Sequence, residues 1–286
     1  MKKAFLLAAA AAIVLFPQPG KAHRADDKIL LKDLRAAGDI FTVKDNMTMN
    51  LKAVVTGPDI NIEKINNKNE EREYKEEVLA ATAQGPTSAL RFYITARDAE
   101  DGEGGPKKTT RSYEGKSVRL TRTGKTATAT SSVTLKPEDV HELSEGFKND
   151  DMSVFSDKPI GIGDSWTVPL SKLLGTSEDL PDGKATGTYT DIVQQGGHRC
   201  AHIHITANIS QDLGGIVLSG ELQGDTYFAL DIHRTILLKL SGPLKMVGKQ
   251  TAGGKTIEIT GSGKIDAGIS FTYAKVAGKA QPTAPK

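Results

Sequence analysis

The chain is 286 residues long, 38% apolar, 25% charged and only 5% aromatic, which is enough to bury a sizeable core in one large β domain or two smaller ones. Its 37 Lys and Arg against 35 Asp and Glu give a net charge of +2, and Lys2, Lys3 and Lys21 near the N-terminus supply that surplus. Without them the balance is slightly acidic, which argues against nucleic acid as a partner. One cysteine excludes an intrachain disulfide framework, an iron–sulfur cluster and an all-cysteine zinc site.

Met1-Lys2-Lys3 opens the chain with positive charge, and Ala4–Phe16 follows as 13 residues without a charged or polar side chain. Pro17-Gln18-Pro19 breaks any helix there, and Gly20-Lys21-Ala22 places small residues where a cleavage site needs them. Residues 1–22 therefore have the layout of a secretory signal peptide. A membrane span needs about 20 apolar residues, so this run is too short to anchor the chain. No cysteine near Ala22 offers a lipoprotein attachment point. The expectation is an exported chain starting at His23, periplasmic or extracellular, with no transmembrane segment in its mature part. In that setting Cys200 stays free or pairs between chains.

From residue 28 onward the chain alternates with period two, the mark of half-buried strands. Met47, Met49 and Leu51 share one face, and Asn46, Thr48, Asn50 and Lys52 share the other. Leu90, Phe92 and Ile94 oppose Arg91, Tyr93 and Thr95. Val118 and Leu120 oppose Arg119 and Thr121. Ala201, Ile203, Ile205 and Ala207 oppose His202, His204 and Thr206, and Ile265, Ala267, Ile269 and Phe271 oppose Asp266, Gly268, Ser270 and Thr272. Turn signals fall at Ala37-Gly38-Asp39, Gly85-Pro86, Gly196-Gly197, Gly224-Asp225 and Gly253-Gly254. The charged run 66–81 reads as a strand in preference to a helix. One apolar face per strand, without helical crossovers, predicts an all-β chain: a large curved or barrel-like antiparallel sheet system. One helix is predicted at 137–149, where Pro137, Glu138 and Asp139 suit a first turn and Val140, Leu143 and Phe147 share a face. The β-rich domain covers 23–276, with strand-rich halves 28–135 and 184–276 on either side of the helix, and two tandem lobes as the alternative. A tail with Pro282 and Pro285, residues 277–286, is expected to be disordered.

Two segments carry candidate chemistry. On a strand, His198, Cys200, His202 and His204 would line one face. Imidazole and thiolate suit Zn²⁺ or copper, and His233, on an expected strand Leu230–His233, could complete a site. The opposite face, Ala201-Ile203-Ile205, fits a core without any metal. The second segment is Lys158–Val168, in which Gly163-Asp164 reads as a turn and Trp166 locks it onto the core. Ser165 as a nucleophile fails because Thr167 stands where an elbow needs Gly, and a strand follows instead of a helix. No catalytic residue is assigned, and Gly163, Asp164, Ser165 and Trp166 are read as a structural motif.

Pro159-Ile160-Gly161-Ile162-Gly163-Asp164-Ser165-Trp166 resembles a hallmark of a family of uncharacterised, secreted or lipid-anchored bacterial proteins. The similar order continues through Tyr113-Glu114-Gly115-Lys116, Gly187 and Tyr189, Arg199-Cys200-Ala201 and Gly220-Glu221-Leu222. The resemblance implies a β-rich envelope protein without an assigned function, and this chain departs from the lipid-anchored members in lacking the leader cysteine.

Weaker signals fall away on spacing. Gly253-Gly254-Lys255-Thr256 lacks the opening glycine of a P-loop, and the acidic loop 98–103 lacks the EF-hand spacing. A transmembrane barrel would carry aromatic girdles that so few aromatics cannot supply. The leading expectation is a non-catalytic secreted or periplasmic envelope protein whose sheet binds an apolar, lipid-like ligand or a protein partner. The alternative is metal binding, Zn or Cu, on the His198–His204 face.

Overall fold

The period-two segments fold as strands of unusual length, and pairing explains why they can be so long. The computed structural model describes residues 28–33, 35–102, 105–148, 154–170, 173, 182–212, 214–252 and 255–277. The expected signal peptide, the Gly253-Gly254 turn and residues 278–286 of the tail lie outside these. Six strands precede the helix: β1 (Ile40–Gly57), β2 (Ile60–Thr82), β3 (Gly85–Gly102), β4 (Gly105–Thr110), β5 (Ser117–Thr123) and β6 (Thr126–Thr130). After α1 (Pro137–Lys148) come β7 (Ser165–Pro169), β8 (Asp182–Gln195), β9 (His198–Asp212), β10 (Ile216–Ala229), β11 (Arg234–Ala252) and β12 (Lys255–Lys275). The charged run 66–81 lies inside β2, a single strand of 23 residues.

These strands form one open 12-stranded antiparallel sheet in the order β6-β5-β3-β2-β1-β12-β11-β10-β9-β8-β7, with β4 also on β3. The chain starts at the centre with β1, steps outward to the edge strand β6, crosses to the opposite edge at β7 and returns to β12 beside β1. Register between β1 and β12 holds from Phe41↔Tyr273 to Thr56↔Glu258. The two strand-rich halves therefore meet in a single curved sheet, as the all-β reading expected.

The β6-to-β7 connection must traverse the sheet, and it covers one face of it, the inner face. Under α1, Leu143 and Phe147 pack with Tyr93, Tyr113, Val118 and Leu120. At the other end Val154, Phe155 and Ile160 of this connection, joined by Leu170 and Leu173 just after β7, pack on Tyr189, Ile203, Ile205, Ala207 and Phe228. Burial of these side chains supplies the main driving force, on the order of 25 cal/mol per Å² of apolar surface. Asp139, expected only as a favourable first-turn charge, is buried and receives Ser112 N at 2.7 Å, Ser112 Oγ at 2.5 Å and Arg111 Nη1 at 3.2 Å.

Two local expectations are corrected. Gly224-Asp225 is not a turn but lies inside β10, opposite Leu240 and Lys239 of β11. A Cβ on Gly224 would overlap the carbonyl of Lys239, and one on Gly263 the carbonyl of Asn50. Glycine there permits close approach of neighbouring strands in a curved sheet. Leu230–His233 is likewise not a strand. It forms the β10–β11 turn, with His233 in the left-handed region at φ 54°, a conformation a single turn residue can adopt but a strand cannot.

Candidate functional site

The inner face of β1 carries Phe41, Val43, Asp45, Met47, Met49 and Leu51 in sequence, a row fixed by the period-two geometry. Opposite them on β12 stand Phe271, Ile269, Ala267 and Ile265, and β11 adds Leu238 and Leu240. Between the two covered ends a cavity of about 240 Å³ opens on this face. Met47, Leu238, Leu240, Ala267 and Ile269 form its apolar floor, Leu173 reaches it from between β7 and β8, and Asp45, Glu70 and Arg72 form one wall.

The wall is electrostatically lopsided. Arg72 lies directly across from Asp45 in the β1–β2 register, yet its guanidinium is directed elsewhere. Its Nη1 sits 2.8 Å from Asp98 Oδ1 and donates to the Arg97 carbonyl at 2.8 Å, and its Nη2 donates to Glu142 Oε1 at 3.1 Å. Arg111 completes the cluster, 2.7 Å from Asp98 Oδ2 and 3.1 Å from Glu142 Oε2, and Tyr113 donates to Glu142 at 2.8 Å. Thus Asp98, within the β3–β4 hairpin, shares Arg72 and Arg111 with Glu142 of α1. Glu70 pairs with Lys68 at 2.5 Å. Burial pushes the Asp45 carboxyl up to about 6, with the Arg72 charge pulling it down and Glu70 adding to the rise.

His198, Cys200, His202 and His204 do lie along β9 on the outer face, but they do not converge. Cys200 is fully buried, its Sγ directed to the carbonyls of His198 at 3.5 Å and Gln195 at 3.7 Å. Burial, with Asp231 nearby, pushes its thiol up, so the thiol is neither a ready ligand nor within reach of a second chain. His198 Nδ1 bonds Asp231 Oδ2 at 2.9 Å. His202 bonds Asp191 through Nδ1 and Asp225 through Nε2, each at 2.9 Å, and stacks on Tyr227 at 4.8 Å. His204 Nδ1 reaches the same Asp225 oxygen at 3.2 Å. Among the described residues no group of three His, Cys, Asp or Glu is placed to hold a metal ion. The motif around Trp166 forms a clasp. Gly163, at φ 92°, donates to the Tyr189 carbonyl at 2.7 Å, and Asp164 accepts Gly161 N at 3.0 Å and Lys28 Nζ at 3.1 Å. Trp166 Nε1 donates to the Val154 carbonyl at 2.6 Å, its ring lies over Gly187, and Ser165 Oγ bonds Thr188 at 2.8 Å.

Asp45 is the residue that motif reading passes over. Its signal in the sequence is parity alone: the only charge in an inner row that is otherwise Phe, Val, Met and Leu.

No family model matches the chain, and no curated protein does. Among solved structures it is similar to lipovitellin ("Lipid-protein interactions in lipovitellin"), with a TM-score of 0.36 and 11% identity over 89% of this chain and 27% of that one. That likeness is too low to establish a shared fold. Among the described residues no helix is long and apolar enough to cross a membrane.

Proposed function

We propose that the protein is a non-catalytic envelope protein, exported by its N-terminal leader, that holds an apolar, chain-like ligand on the inner face of its sheet. One observation carries the reading: an apolar-floored cavity of about 240 Å³ spanning the central strands β2, β1, β12 and β11. Binding sites are concave, mostly apolar and edged by a few polar groups, and this cavity has that composition. Among the described residues its lining holds no Ser, Thr, Cys, His or Lys, so a hydroxyl, thiol, imidazole or amine nucleophile is not offered there. The volume lies below the range of typical small-molecule sites, about 300–1,000 Å³, and suits a single alkyl chain better than a ring system.

The test is native mass spectrometry of the exported protein purified without refolding, followed by calorimetric titration with 1-dodecanol. A mass excess of hundreds of daltons, or one-to-one binding of dodecanol that Ala267→Phe abolishes, is the expected result. A bare mass together with no dodecanol binding overturns the reading and leaves a scaffold that engages another protein.

A further inference from the structure

We propose that the ligand of this cavity carries a cationic, amine-type head group and that Asp45 is the residue that receives it. The inference rests on the apolar-ligand reading above and adds the chemistry of the head group.

Among the described residues the Asp45 carboxylate makes no hydrogen bond or ion pair, although it lines the cavity directly. The groups around it do not supply one. On β2, Arg72 is engaged by Asp98 and Glu142, and Glu70 is paired with Lys68. On β12 its cross-strand partner is Ile269, followed by Ala267, and β11 presents Leu238 and Leu240. The residues between β7 and β8 contribute Leu173. A carboxylate set among alkyl groups is costly unless something pairs with it. The burial that pushes this carboxyl up to about 6 is the imprint of that cost, and an incoming ammonium relieves it.

The sign of the partner follows from the same inventory. Asp98 and Glu142 already balance Arg72 and Arg111, so the wall as a whole presents excess negative charge to the cavity. An anionic head group would meet Asp45 and Glu70 with no guanidinium free to answer it. A protonated amine on an alkyl chain places its nitrogen against Asp45 and its carbons along Met47, Ala267 and Leu240. Charge-assisted hydrogen bonds of this kind are the strong ones.

Three probes of equal chain length separate the possibilities: dodecylammonium, 1-dodecanol and dodecanoate, titrated calorimetrically at pH 7.5 into the full protein and into Asp45→Asn. The expected result is that dodecylammonium binds about tenfold or more tightly than dodecanol, a difference on the order of one charged hydrogen bond, with dodecanoate weakest. Asp45→Asn should erase the advantage of the amine and leave dodecanol unchanged, and Ala267→Phe should abolish all three. A thermal melt of each variant confirms that it is folded, and the ranking on the unsubstituted protein decides independently of any variant. Dodecanol binding with no preference for the amine, or a preference that survives in Asp45→Asn, overturns the head-group assignment alone. Failure of all three probes to bind overturns the apolar-ligand reading and this inference together.

Discussion

Asp45 and Arg72 stand directly opposite one another across the β1–β2 pair, but Arg72 gives its guanidinium to Asp98 and Glu142. Opposite charges in register on adjacent strands ordinarily pair. Here the arginine is drawn toward α1, where it ties the helix to β2 and β3, and the aspartate faces the cavity without a hydrogen-bond or ion-pair partner among the described residues. One residue of the couple thus serves the fold, and the other is left available.

That division predicts a stability cost with a defined pH window. The folded-state carboxyl of Asp45 is raised from 3.8 to about 6 by burial. Below the unfolded value both states hold the proton and there is no penalty. Between about pH 4 and 6 the unfolded chain ionises first, so stability falls as pH rises, and the full penalty is present above 6. A shift of this size corresponds to about 2–3 kcal/mol at most. Asp45→Asn should therefore stabilise the protein by about 2 kcal/mol at pH 7.5 and by nearly nothing at pH 4, as read by urea denaturation. Equal effects at both pH values would show that the carboxyl is not desolvated.

Much of the fold was legible because period-two alternation marks strands, although it does not always name the buried face: in β3 the expected apolar face is reversed, with Phe92 and Ile94 exposed and Arg91 and Tyr93 buried. The β9 set Ala201, Ile203, Ile205 and Ala207 is wholly buried as the alternation required, and Pro137 with the Val140, Leu143 and Phe147 spacing marked α1 to within a residue. What was not legible depends on neighbours distant in sequence. Gly224 carries the same dipeptide signal as a turn, and only the adjacent β11 backbone shows that it is a point of close approach. Arg72 reaches Glu142 across 70 positions, a pairing that no local pattern encodes. Asp45 was visible by parity but had no meaning until β11, β12 and Leu173 enclosed it.

The close approach at Gly224 gives a second prediction, with a control in the same molecule. A Cβ there would overlap the Lys239 carbonyl, whereas one on Gly146 in α1 meets nothing within 4 Å. Gly224→Ala forces backbone to move and should cost about 3 kcal/mol or more. Gly146→Ala removes a flexible residue from the last turn of α1 and should stabilise by up to about 0.5 kcal/mol. Thermal denaturation of the two variants should shift in opposite directions.

Asp139 anchors α1 to the segment before β5 through Ser112 and Arg111, and it is only 1% exposed. Burial alone would raise its carboxyl, but the bonds from Ser112 and the Arg111 charge outweigh it and hold the group below the ordinary range. Asp139→Ala strands those donors and should cost about 3 kcal/mol. Because the helix covers one end of the sheet, the loss should be accompanied by faster amide exchange at Leu143 and Phe147. A variant with native exchange at those amides would show that the apolar face of α1 holds the helix without the anchor.

On the outer face, Asp225 joins His202 and His204 through one oxygen. Its burial works to raise the carboxyl, and the two imidazole hydrogen bonds and their charges override it, so the folded value lies below the ordinary one. A depressed carboxylate contributes stability above its unfolded value, near pH 4, and loses it as pH falls through the folded value. Asp225 is 39% exposed at its side chain, and solvent screening limits the contribution to about 1 kcal/mol or less. Asp225→Asn should therefore destabilise modestly at pH 6, and the difference should shrink as pH falls below the ordinary carboxylate range and vanish below the folded value. The same variant should bind dodecanol normally, because this cluster lies on the face opposite the cavity. Loss of dodecanol binding in Asp225→Asn at pH 6 would mean that the two faces of β9 and β10 are coupled through the strands themselves.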